Sequence, residues 1–167
     1  MIPKVLKNFN LFVDGQGYAG RVAELIPPKL AIKTIEHRGG GMDSAVELDM
    51  GLEKLSCDFT LDEYDTSVLK LFGLVTGAPV QLTLRGGFDN EAQQVVPVTI
   101  QLRGAWRELD FGTWKAGDLT RLKVAVACRY YRLELDGTEM IEIDTVNMVR
   151  RIHGVDQLAQ LRRAIGL

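Results

Sequence analysis

Leu55-Ser56-Cys57-Asp58-Phe59-Thr60-Leu61 alternates apolar and polar side chains without a break, the cleanest such run in the chain. Period two is the signature of a strand with one dry face, here Leu55, Cys57, Phe59 and Leu61, and one wet face, here Ser56, Asp58 and Thr60. The same pattern extends upstream. Val46, Leu48 and Met50 oppose Glu47 and Asp49, which predicts a second half-buried strand ended by Gly51. Pro27-Pro28 blocks a helix, so Leu30, Ile32 and Thr34 read as a strand over about 29–37 that stops at Arg38-Gly39-Gly40-Gly41. A first strand, Asn8 to Val13, runs into Asp14-Gly15, a dipeptide suited to a tight hairpin.

Downstream the period changes once. Asp65 or Thr66 caps a short helix carrying Val68, Leu69 and Phe72, which Gly73 ends. Strands resume at Val80-Leu82-Leu84, cross a polar loop from Asp89 to Gln94, and return through Val96, Val98, Ile100 and Leu102. Pro97 cannot donate to a ladder, which predicts an edge strand or a bulge there. Leu122 to Tyr130 alternates, and Asp136-Gly137 turns the chain into Met140–Asp144. Asp156 reads as the N-cap of a terminal helix with Leu158, Leu161 and Ile165 on one side. Eight or nine strands and two short helices make a mainly β chain, an antiparallel sandwich or barrel forming one domain over 1–167. Such a domain has edges to manage, and pairing with another copy is one way to do so.

Composition narrows the function. The 167 residues are 46% hydrophobic and 25% charged with a net charge of −2, and no basic run exceeds Arg150-Arg151 or Arg162-Arg163. That excludes a nucleic-acid grip built on phosphate neutralisation. The start, Met1-Ile2-Pro3-Lys4-Val5-Leu6-Lys7, lacks the pattern of a secretory signal, and no apolar run approaches a membrane span. A soluble, unexported chain is expected. Cys57 and Cys128 lie within apolar alternations and read as reduced core thiols. Gly15-Gln16-Gly17-Tyr18-Ala19-Gly20 matches a dinucleotide fingerprint literally, but Pro27-Pro28 leaves no room for the helix that would bind a phosphate. The run Arg38–Met42 lacks the lysine and helix of a phosphate loop. His37 and His153 have no metal-ligand spacing, and Ser44, Ser56 and Ser67 sit in no nucleophile elbow. No catalytic residue, metal or cofactor is expected.

Several blocks in order resemble the major tail tube protein of contractile-tailed phages and the related tube protein of R-type pyocins. They are Asn10-Leu11-Phe12-Val13-Asp14-Gly15, Pro28-Lys29-Leu30, Arg38-Gly39-Gly40-Gly41-Met42-Asp43, Asp49-Met50-Gly51-Leu52 and Trp114-Lys115-Ala116-Gly117. The stretch from Glu142 to Leu158 and the ending Arg162-Arg163-Ala164-Ile165-Gly166-Leu167 complete them. Pro27 stands where that family carries an aliphatic residue. The resemblance implies a structural subunit rather than an enzyme. Six-membered rings would stack into a hollow tube within a tail sheath, in contact with a baseplate initiator and a tape measure protein. DNA would pass through the lumen in a phage, whereas a headless bacteriocin would carry none; a free β-sandwich binding module is the competing class. Glu47, Asp49, Ser56, Asp58 and Thr60 are the expected lumen residues, since an acidic lining does not grip phosphates. Arg38, Gly39, Gly40, Gly41, Met42 and Trp114 are the expected contacts between copies.

Overall fold

The computed structural model describes residues 2–73, 78–91 and 94–167, so Ala92 and Gln93 of the expected polar loop lie outside the described residues. In chain order the elements are β1 (Val5–Val13), β2 (Gln16–Gly17), β3 (Val22–Ile26), β4 (Ile32–His37), β5 (Val46–Leu52), β6 (Leu55–Leu61) and α1 (Thr66–Leu69). There follow β7 (Val80–Asp89), β8 (Val95–Asp110), β9 (Leu122–Leu135), β10 (Thr138–Asp144), β11 (Val149–Ile152), β12 (Val155–Asp156) and α2 (Ala159–Ala164).

The two longest strands are the spine. β9 pairs through Leu122–Cys128 with β6 and through Tyr130–Leu135 with β10, while β8 runs along its other side throughout. β8 in turn pairs with β7 only as far as Gly104. One sheet is therefore β3-β6-β9-β8 and the other β12-β11-β10-β9-β8-β7-β1-β2, sharing the bent spine and packing as two layers of an antiparallel sandwich. The bend falls where the register slips between Arg103 and Gly104, which leaves Arg129 as an extra residue on β9. A Cβ on Gly104 would collide with the Ala127 carbonyl oxygen and stand 2.9 Å from its carbonyl carbon. Only glycine lets the strands approach this closely.

The expected dry faces meet between the layers. Leu55, Cys57, Phe59 and Leu61 of β6 face the same core as Leu82 of β7, Leu102 and Trp106 of β8, and Val124 and Val126 of β9. Trp106 is fully buried, edge-on to Phe59 at 5.5 Å, and its indole N–H donates to the Val68 carbonyl at 2.8 Å, so its one polar atom is satisfied. Burial pushes the Cys128 thiol up to about 12 and the Cys57 thiol further, consistent with unreactive core cysteines.

Local signals account for most boundaries. Asp14-Gly15 and Asp136-Gly137 both take positive φ at each position, the geometry of a type I′ hairpin turn. Asp65 caps α1 by accepting from the Val68 amide at 3.1 Å, although the helix proper is a single turn. Where the fingerprint Gly15–Gly20 would need a helix, the chain enters β3.

Three expectations are corrected. The strand holding Pro97 is central, not an edge, and no bulge falls there. The Pro97 carbonyl accepts from Asp136 at 2.9 Å, and because N and C=O of one strand residue point the same way, its missing N–H faces the β9–β10 turn, one residue beyond the β9 ladder. Asp156 is not the N-cap of α2, which is Leu158. Its carboxylate accepts from the Leu158 amide at 3.1 Å and from Arg162 at 2.6 Å, fixing the helix from outside. The strand Val46–Met50 is not half-buried in the isolated chain, because β4 and β5 form a separate two-stranded sheet.

Candidate assembly surfaces

β3-β4 and β5-β6 are one long two-stranded ribbon. Its inner half joins the four-stranded sheet, and a hydrogen bond from the Glu53 amide to the Ala31 carbonyl at 2.8 Å carries the pairing across the break near Pro27-Pro28. Its outer half, β4-β5, pairs with no other strand among the described residues. Register puts Ile35 beside Leu48 and His37 beside Val46 on one face, with Met50 following by alternation. These apolar side chains are exposed, Ile35 at 48% and Leu48 at 44%. The opposite face carries Thr34, Glu36, Glu47 and Asp49. An amphipathic ribbon with its apolar face in water marks an interaction surface rather than a stable free element. At its tip the Arg38 guanidinium Nε donates to the Met42 carbonyl at 3.2 Å, and the Met42 amide donates to the Gly39 carbonyl at 3.2 Å. The run 38–42 thus makes a shaped loop, with Gly41 at φ 85° and open space around Gly40.

The outward face of the four-stranded sheet is a second surface. Across it run the rows Ile26-Asp58-Ala125-Glu108, Glu24-Thr60-Lys123-Asp110 and Ser56-Ala127-Ala105. In these rows four carboxylates stand against one lysine and the alanines with Ser56 make the surface smooth, while the exposed Arg107 and Arg129 sit at the register slips beside it. Ser56, Asp58 and Thr60 come together here as expected, with Thr60 only 8% exposed between its cross-strand neighbours Glu24 and Lys123.

Glu47 and Asp49 are elsewhere. Asp49 accepts from Arg150 at 2.8 Å, and Arg150 stands opposite core residue Ile143 in the β10–β11 ladder, so Asp49 faces the core side of the sheet. Hydrogen bonds from Arg150 and the Gly51 amide hold the Asp49 carboxyl below the usual carboxylate range. The five expected lining residues therefore do not share a face. Sequence reasoning overlooked Ala105, Ala125, Ala127 and Glu108, although Ala125 and Ala127 occupy the alternate positions to the apolar residues Val124 and Val126.

Among the described residues, two edges of this sheet are free. β3 pairs only with β6, and beyond Trp106 no strand among the described residues pairs with the outer side of β8. Trp114 lies in the loop after β8 and is 78% exposed, so it anchors no core. Its indole N–H donates to the Tyr64 hydroxyl at 2.9 Å, while that hydroxyl donates to the Phe111 carbonyl and the Tyr64 ring packs edge-on against Phe111. Tyr64 thus links the Trp114 indole to the backbone at the end of β8.

The wet face of the larger sheet has a different character. Arg85 lies over Phe12, Arg103 over Tyr130 at 3.9 Å, Arg132 between Glu134 and Glu139, and Arg151 on Glu142. This is a mixed-sign lattice of engaged groups. Altogether the chain exposes 11044 Å², against about 8,200 Å² for a compact monomer of its mass. Segments that project from the sandwich, among them the β4-β5 ribbon and the loop of Trp114, contribute to the surplus.

Comparison with known proteins follows the same line. The profile of the family described as "Phage tail tube protein FII" matches residues 3–166. The chain is 37% identical over 170 aligned positions to the tail tube protein of Escherichia phage P2, covering 99% of each chain. It is 30% identical over 159 positions to the major tail tube protein of Serratia phage KSP20, covering 92% of this chain and 90% of that one. Among solved structures, a chain of the PVC sheath-tube complex of an extracellular contractile injection system, in its extended state, superposes with a TM-score of 0.64. That match covers 79% of this chain and 91% of the other at 11% identity.

Proposed function

The chain belongs to the phage tail tube protein family, and from that premise we propose how its sheets build the tube. It is a structural subunit of a contractile tail, not an enzyme. The observation that carries the proposal is the four-stranded sheet β3-β6-β9-β8 with a free edge on either side. All its pairings are antiparallel and the strand number is even, so β3 and β8 run in opposite directions. Rotating a copy about an axis along the strands brings its β3 beside the neighbour's β8, again antiparallel. A head-to-tail ring closes with unbroken pairing and leaves no lateral edge. Six copies give twenty-four strands, a circumference of roughly 115 Å at the ordinary strand spacing, wide enough for a DNA double helix.

The acidic, small-residue face lines the lumen in this arrangement, with Ser56, Asp58 and Thr60 from the expected set and Glu24, Glu108, Asp110, Ala105, Ala125 and Ala127 added. Phosphates slide past a wall on which carboxylates outnumber the cations that could exchange for counterions. The mixed-sign face of the larger sheet then points outward, toward the tail sheath. The β4-β5 ribbon and its 38–42 tip reach the adjacent ring, and Trp114 is a further contact between copies. Baseplate and tape measure proteins meet the tube at its end and in its lumen. The same subunit design would serve a headless particle, but the acidic lining favours a tail that passes a genome.

Imaging purified protein by negative-stain electron microscopy, with light scattering on the same sample, tests the reading. Hollow tubes or rings are expected, and a monomer at every concentration, even with the baseplate initiator added, would remove it. Within the tube, Asp58→Lys is expected to leave assembly intact while slowing genome ejection several-fold, because each ring then carries a band of added positive charge. Unchanged ejection kinetics from intact Asp58→Lys particles would move the lumen to another face.

A further inference from the structure

The sandwich is open on the side of β3. There Leu6, Phe9, Leu25, Pro27, Phe88 and Val98 line an apolar groove of about 200 Å³. A dry apolar cavity of about 150 Å³ is large enough for benzene, so this groove suits one phenyl ring. At the opposite edge of the four-stranded sheet, Phe72 rides on β8. Its backbone bridges to Trp106, and the following Gly73 amide donates to the Trp106 carbonyl at 3.3 Å. Phe72 is nonetheless 54% exposed, which leaves a large aromatic ring in water beside a free strand edge.

We infer that Phe72 of each copy seats in the Leu6–Leu25–Pro27 groove of its ring neighbour, beside the β8–β3 junction. The inference rests on the head-to-tail ring proposed above. A heterologous ring contact needs two different patches on one chain that fit each other and lie at opposite edges. Phe72 and the groove meet that requirement: the knob flanks the β8 edge, the hole is bounded by the last residues of β3, and the ring operation that joins those edges brings the two side by side. An aromatic anchor filling an apolar pocket is also the kind of contact on which interface energy concentrates.

Disulfide trapping tests it. Phe72→Cys and Leu6→Cys are combined in one chain, assembled and oxidised, and resolved without reductant; the native thiols contribute little because burial raises both from the ordinary range. A ladder of covalent oligomers is expected, absent from either single variant. Should the double variant fail to assemble, each single variant is doped into parent protein, where only mixtures of the two should yield a covalent dimer. Phe72→Ala is expected to raise the concentration needed for tube growth about tenfold without lowering the melting temperature of the free subunit. Tubes that form without any such crosslink would overturn the seating of Phe72 and leave the tube standing. Parent protein that forms neither rings nor tubes would overturn both.

Discussion

Gly104→Ala is expected to cost the subunit about 4 kcal/mol or more, a large part of the 5–15 kcal/mol that holds an ordinary domain together. Backbone conformation is not the cause, since Gly104 is absent from the residues at positive φ. Space is. The added methyl carbon would overlap the Ala127 carbonyl oxygen and press on Ala127 C and Cys128 Cα at 2.9 and 3.0 Å. These are backbone atoms of the strand to which Gly104 is paired, so no rotamer change relieves the contact. Relief requires β8 and β9 to part at the bulge, which strains hydrogen bonds of about 1 kcal/mol each and shifts Trp106, two residues on. Gly40→Ala is the control, because nothing stands within 4 Å of a Cβ there. Denaturant unfolding of the two variants should give a midpoint near the parent's for Gly40→Ala and a collapsed or absent transition for Gly104→Ala. A Gly104→Ala midpoint matching the parent would mean that the bend at the spine is not held by close approach.

Alternation made β6 legible from its sequence, and the two Asp-Gly turns were legible because their chemistry is local. What resisted reading depends on neighbours. Beyond Gly104, β8 continues through Ala105-Trp106-Arg107-Glu108, where a second register slip between Trp106 and Glu108 breaks the period-two pattern and hides six residues of strand. Pro97 misled because a strand residue's N–H faces only one neighbour, and which neighbour is there is not written locally. Glu47 and Asp49 left the expected lining for a similar reason. Thr34 pairs with Asp49 but Ile32 with Leu52, so an extra residue near Gly51, at φ 96°, breaks the alternation between β5 and β6. The expectation joined the polar halves of two separate alternations, and Asp49 and Asp58, nine positions apart, stand on opposite faces. The alanines of the outward face carried no signal alone; only register showed Ala105, Ala125 and Ala127 beside Ser56 and Asp58.

Ile35→Asp with Leu48→Asp is expected to abolish tube growth while leaving a folded subunit. Within one chain neither side chain belongs to the core or to the residues packed against it, and no residue of β4 or β5 is buried, so the core loses no contact. The ribbon carries its apolar face, Ile35, Val46, Leu48 and Met50, exposed on a sheet that pairs with no other strand among the described residues. Each of the two side chains stands about half exposed, and covering the remainder is worth about 1 kcal/mol apiece. Two carboxylates in the same contact add a desolvation cost of at least that size. Together they come to about 4 kcal/mol per contact, and at 1.4 kcal/mol for each tenfold the critical concentration for growth should rise on the order of 1,000-fold. Sedimentation velocity would then find monomers or small closed oligomers where the parent makes tubes, with circular dichroism and melting temperature unchanged. Asp49→Ala separates this from a role for the ribbon's tie to Arg150. It breaks an ion pair whose Arg150 side is largely buried, so the subunit should lose some stability, but it keeps the apolar face, so tubes should still form. If instead the double aspartate variant grows tubes at the parent's concentration, the ribbon lies free in the assembled particle, and stacking runs through another surface such as the Trp114 loop.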